Sequence, residues 1–255
     1  MSRRDGTLRT VVVGASSGLG RCIGVGLARR GARVALLARR LERLEDAARE
    51  AGSGSVAIRC DVTDEAACRQ AVDEAADRLG GIDALVYSTG MGPLARLAET
   101  GAATWREVLD TNVVGAAVAT SAALPHLVAS GGVAAYLSSV SASETPPWPG
   151  LGAYVVSKAA LERMVDAWRA EHPGIGFTRV VVGDCAGGEG PAMTEFPSGW
   201  DAELATEMGS IWAARNYLSG ALLDVDDLVD ALDTVLRCGA GASVPSITVG
   251  PRPQH

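Results

Sequence analysis

Gly14-Ala15-Ser16-Ser17-Gly18-Leu19-Gly20 separates a short apolar run, Thr10–Val13, from the helical pattern of Gly18–Arg30. Glycines let a backbone turn sharply and come close to a ligand. A helix that opens on such a turn offers free N–H groups and the positive end of its dipole to phosphate. Many turns carry glycine, so the stretch alone is weak. Between the first strand and first helix of a βαβ series it points to a dinucleotide-binding crevice.

Outward from this turn, β-branched runs alternate with helical ones. Strands are expected at Thr10–Val13, Arg33–Ala38, Ser55–Cys60, Ala84–Ser88, Val133–Ser138, Phe177–Val182 and Ser246–Val249. Helices are expected at Gly18–Arg30, Leu41–Ala51, Asp64–Leu79, Ala103–Ala129, Gly152–Glu171 and Val225–Cys238. The alternation predicts an α/β fold, a single Rossmann-type doubly wound parallel sheet of about seven strands with helices on both faces. A chain of 255 residues suits one such domain. Two stretches break the rhythm. Ser141–Gly152 is turn-rich and reads as a loop, and Gly183–Ala221 is expected to form a lid on the substrate side.

Composition narrows the partners. The net charge is −7 and the arginines are scattered among acids, which argues against nucleic acid. Five cysteines form no C-x-x-C pair, as in reduced cytoplasmic proteins. The start at Met1 has no apolar run of signal-peptide length. The apolar stretch 113–129 contains Pro125 and His126 and reads as a buried helix, so no membrane is expected. No histidines, cysteines and carboxylates stand at metal-ligand spacing, so no metal is expected either.

The chain holds one lysine, Lys158, against twenty-two arginines. It stands four residues after Tyr154, and positions four apart share a helix face. An ammonium beside a phenol favours the phenolate, so the spacing predicts a tyrosine whose pKa is lowered toward neutrality.

With these residues in order, the chain resembles the short-chain dehydrogenase/reductase family from Thr10 to about Thr194. Gly14, Gly18 and Gly20 match its cofactor turn, with Ser16, Ser17 and Leu19 between them. Asp61-Val62 resembles its adenine contact, and Ser88-Thr89-Gly90 stands where the family has Asn-Ala-Gly. Asn112, Ser139, Tyr154 and Lys158 match its catalytic residues, with Ser139 preferred over Ser138 and Ser141. The resemblance implies hydride exchange between a nicotinamide cofactor and a carbonyl or alcohol. Tyr154 then transfers the proton, Ser139 binds the substrate oxygen, and Lys158 holds the nicotinamide ribose. It also implies that Asn112 holds a water linking Lys158 to solvent, unless its amide merely bonds the backbone, and that Thr194 contacts the carboxamide.

The second strand ends Leu37-Ala38-Arg39-Arg40, with no acid for a ribose 2′-hydroxyl. Arginine there accommodates a 2′-phosphate, so NADP(H) is expected, held by Arg39 and Arg40. The alternative is that both arginines pair with Glu42 or Glu45. Met91, Ser141, Trp148, Trp200, Met208 and Trp212 are candidates for an apolar substrate pocket. The run Gly183–Pro191 departs from the family's Pro-Gly, and Asp184 within it is either near the cofactor or a solvated turn residue. That departure leaves open a non-catalytic, cofactor-sensing regulator. Ala103–Ala129 and Gly152–Glu171 are rich in small residues and suit a helical interface, so a homodimer or homotetramer is expected.

Overall fold

Val11 and Val13 point to one side of their strand and Val12 to the other, yet all three are fully buried. A strand apolar on both faces needs a layer of helices on each side. The computed structural model, described over residues 6–252, has that arrangement. Met1–Asp5 and residues 253–255 lie outside the described residues.

The elements run β1 (Arg9–Val13), α1 (Gly18–Arg29), β2 (Arg33–Ala38), α2 (Leu41–Ala51), β3 (Val56–Arg59), α3 (Glu65–Leu79) and β4 (Ala84–Tyr87). There follow α4 (Ala102–Leu109), α5 (Gly115–Ser130), β5 (Val133–Ser139), α6 (Val140–Ser143), α7 (Gly152–Glu171), β6 (Gly176–Val182), α8 (Ala202–Ala214), α9 (Val225–Leu236) and β7 (Ser246–Val249). The sheet order is β3-β2-β1-β4-β5-β6-β7, with every pairing parallel. One face is covered by α3, α5 and α7 through residues such as Val72, Ala119 and Leu161. The other is covered by α1, α2 and α9 through Ile23, Leu44 and Leu232. The order reverses between β1 and β4, and in such sheets ligands bind outside the carboxyl ends of the strands at that point.

Three expectations change. The helix expected over Ala103–Ala129 is α4 and α5 joined by a π-helical turn, Asp110–Val114. An extra residue per turn is tolerated because packing against α7 and α3 continues on either side. The run Ala102–Ser130 is also long and apolar enough to cross a membrane by length and composition, although part of it lies against α3. Finally, Ser141–Gly152 is not wholly loop, because α6 takes its first residues.

Candidate active site

A cleft of about 1080 Å³ opens along the carboxyl ends of the central strands. Its floor is the glycine turn, where side chains are excluded by geometry. Gly14 has φ +93°, and a Cβ there would sit 2.7 Å from Thr89 N. A Cβ on Gly20 would sit 2.3 Å from Gly14 O and 2.4 Å from Ser88 Oγ. The turn can therefore lie flush against a ligand, with the opening N–H groups of α1 left over by the helix ladder. One of these, Gly18 N, donates to Met193 O at 3.2 Å.

Every residue expected to hold the dinucleotide lines this cleft: Ser16 to Gly20 of the turn, Arg39, Arg40, Asp61, Val62, Thr89, Gly90 and Thr194. The cleft's size, its glycine floor and its paired arginines fit a phosphate-bearing dinucleotide. Arg39 is exposed and makes no hydrogen bond to any described residue. Arg40 pairs with neither Glu42 nor Glu45. It donates to Ser16 Oγ at 2.9 Å and Ser17 Oγ at 2.8 Å and forms an ion pair with Glu195.

The chemistry-bearing side chains come from three elements. Tyr154 and Lys158 lie one turn apart on α7, and Ser139 ends β5. Lys158 Nζ is buried, donates to Leu137 O at 2.7 Å, and lies 5.8 Å from the Tyr154 ring centre. Ser139 hydrogen-bonds Tyr154 and lies 2.9 Å from Ser141 Oγ. Ser138 is excluded from this group because it donates to Glu162 at 2.6 Å.

Electrostatics revise one expectation. Burial pushes the Tyr154 phenol up to about 12, and the hydrogen bond from Ser139 opposes this without overcoming it. Burial likewise pulls Lys158 down to about 8, while Glu162 acts the other way. Tyr154 is therefore not brought toward neutrality in the protein alone. The removal of its hydroxyl from water outweighs an ammonium committed to Leu137 O.

Asn112 does not line the cleft. It is fully buried in the π turn, where its amide accepts from Met91 N and donates to Met91 O and Ser157 Oγ, each at 2.9 Å. Its amide bonds the backbone of Met91 and positions that residue at the cleft wall. Asp184 also lines the cleft, and its carboxylate accepts from Ser219 N and Ser219 Oγ, both at 2.7 Å, which ties down the end of the lid.

Six of the chain's eleven aromatic residues gather at the mouth: Trp148, Tyr154, Phe196, Trp200, Trp212 and Tyr217. Trp148, Trp200, Met91 and Ser141 line the cleft as expected. Trp212 does not. With Met208 it is buried behind, its ring 5.2 Å from Trp148 and 6.1 Å from Trp200. The sequence reading missed Phe196, whose ring centre lies 4.9 Å from that of Tyr154, and Glu195 beside it. Their position directly after Thr194 was the available clue. It also missed Leu94 and Leu151, apolar residues flanking that mouth.

Comparison with known proteins agrees with this geometry. The family described as short chain dehydrogenase matches residues 9–194. An 11-beta-hydroxysteroid dehydrogenase A of Sesamum indicum is 37% identical over 68% of this chain and 51% of its own length. A glycine betaine reductase of Emericella nidulans is 32% identical over 95% of this chain but only 18% of its own length. The chain thus spans about half of the first relative and less than a fifth of the second. Among solved structures, a dehydrogenase/reductase from Sinorhizobium meliloti superposes with a TM-score of 0.77 at 31% identity, covering 96% of this chain and 93% of that one. An alcohol dehydrogenase from Thermococcus sibiricus shares the fold with a TM-score of 0.81 at 24% identity, over 98% of this chain and 100% of that one. Matched over most of its length, with a glycine turn and a Tyr154–Lys158 pair in one cleft, the chain belongs to the short-chain dehydrogenase/reductase family of oxidoreductases.

Proposed function

We propose that the protein catalyses hydride exchange between NADP(H) and the carbonyl or secondary alcohol of a small apolar substrate. The observation that carries this is the convergence of Ser139, Tyr154 and Lys158 in the cleft floored by the glycine turn. The nicotinamide cofactor supplies the hydride, and the protein handles one proton and the charge on oxygen. A phenol pushed up to about 12 is protonated at neutral pH, which suits Tyr154 to donate to a carbonyl oxygen during reduction. Ser139, already hydrogen-bonded to Tyr154, donates to the same oxygen as its charge grows. Lys158, mostly protonated at pH 7 with a pKa of about 8, supplies positive charge beside the phenol. Arg39, which makes no side-chain hydrogen bond, with Ser16 and Arg40, supports the choice of NADP(H) over NAD(H).

The indole N–H groups of Trp148, Trp200 and Trp212 are all used inside the protein, on Thr145, Gly92 and Pro149. Trp148 and Trp200 therefore present ring faces and edges to a substrate, not donors. That favours an alicyclic or aromatic ketone or alcohol, in keeping with the hydroxysteroid dehydrogenase relative. Ring faces also attract a quaternary ammonium group. A second reading is therefore a quaternary-ammonium aldehyde, in keeping with the glycine betaine reductase relative. We place the protein in the cytoplasm as a homodimer or homotetramer, joined through α4–α5 and α7, where Val114, Val128 and Val156 are exposed.

The test is nicotinamide absorbance with a panel of cyclic ketones and a quaternary-ammonium aldehyde, with Tyr154→Phe as control. Turnover should fall by about 10³-fold in that variant while cofactor still binds. Cofactor binding without turnover of any carbonyl would favour the non-catalytic, cofactor-sensing alternative.

A further inference from the structure

The geometry points to Glu195 as a determinant of cofactor choice, a built-in carboxylate that competes with a 2′-phosphate for Arg40 and Arg43. This rests on the reading that the arginines after β2 receive that phosphate. Glu195 follows Thr194 on the lid side of the cleft, yet its carboxylate reaches the opposite rim and pairs with both guanidiniums. One of its oxygens lies 3.4 Å from Ser17 Oγ, and Arg40 itself donates to Ser16 and Ser17. Two residues earlier, Met193 O accepts from Gly18 N at 3.2 Å. The segment 193–195 is thus fastened across the glycine turn and the start of α2. Arg40, Glu195, Ser16 and Ser17 all line the same cleft.

The rim therefore offers one guanidinium that makes no side-chain hydrogen bond, Arg39, whose charge acts on Asp61, and two that the Glu195 carboxylate already holds. The two arginines hold the Glu195 carboxyl below the usual carboxylate range, so it stays charged at working pH. A phosphate approaching Arg40 must share it with this carboxylate or displace it, and like charges brought together cost free energy. A cofactor ending in a 2′-hydroxyl carries no such penalty and leaves the clasp shut. Glu195 therefore narrows the preference for the phosphorylated cofactor and couples the phosphate to release of the lid.

The experiment compares wild type with Glu195→Gln in the whole protein, titrating NADPH and NADH by fluorescence at low and high salt. NADPH should bind the variant about tenfold more tightly at low salt, with NADH little changed, and the gain should shrink as salt screens the charges. Equal changes for both cofactors, or an unaltered ratio at both salt concentrations, would overturn the proposal. The cofactor reading fails separately: a wild type that binds NADH more tightly sinks it, whatever Glu195→Gln does to the ratio.

Discussion

Two regions line one cleft with opposite materials. The floor, from the glycine turn to Gly90, is backbone and small residues on the ends of neighbouring strands. The lid, over Gly183–Ala221, is rings and hydrogen bonds reaching to distant elements, such as Trp200 to Gly92 and Trp212 to Pro149. The floor inherits its shape from the sheet, and it suits any dinucleotide. The lid is held by side chains, and on the proposed function it supplies the substrate contacts. Substitutions should divide accordingly: floor and α7 changes strike turnover or cofactor, while lid changes strike substrate affinity and local stability.

The largest expected effect is at Lys158. Arginine keeps the charge but needs a wider, forked set of partners than the buried contact with Leu137 O provides. Lys158→Arg should cost at least about 100-fold in kcat/KM, the low end of what a proton-transfer assembly supplies. Steady-state kinetics beside a circular dichroism spectrum would show it, and near-normal activity would break the assignment. Next is Asp184→Ala, which strands Ser219 N and frees the end of the lid. Losing bonds to a carboxylate should cost about 1–3 kcal/mol locally. Limited proteolysis would report this as faster cleavage within Gly183–Ala221 with the floor still resistant.

Phe196→Ala comes third. The ring lies against Gly92 and edge-on to Tyr154, and removing it opens the pocket. The substrate KM should rise about tenfold, the equivalent of ~1.4 kcal/mol of apolar contact, with the cofactor Kd unchanged. A parallel loss of cofactor affinity would mean that lid and floor are not separate units.

The same division governs what could be read from residues alone. Strands β1 to β7 were legible because apolar runs between helical patterns admit few arrangements, and the glycine turn because its spacing has a steric cause. The π turn at Asp110–Val114 was not, since one extra residue in a long apolar helix leaves the pattern unaltered. Met208 and Trp212 are four apart on α8, so they share a face, but nothing local says whether that face meets substrate or Trp148. The pair of Arg40 and Glu195, 155 residues apart in the chain, exists only once the lid has folded back. For Tyr154 the sequence spacing revealed the neighbouring charge but not the burial, and burial decided the direction.

That last point yields the smallest and most discriminating prediction. Glu162 continues the α7 stripe one turn beyond Lys158, buried, with Ser138 and Ser143 donating to it from β5 and α6. Arg179 of β6 stands 3.8 Å away and is shared with Asp166. Burial lowers the Lys158 pKa, and the Glu162 charge raises it. Glu162→Gln keeps acceptors and donors for the two serines but removes that negative charge. Deprotonation of Lys158 then becomes easier. The alkaline limb of carbonyl reduction, which needs both protons in place, should move to lower pH, while the rate on the acid plateau stays near wild type. A pH profile of kcat/KM checks this, with a thermal melt to confirm that the fold is intact. A limb that stays in place would mean that Glu162 only braces β5 and α6, and that the charge of Lys158 is set by burial and Leu137 O alone.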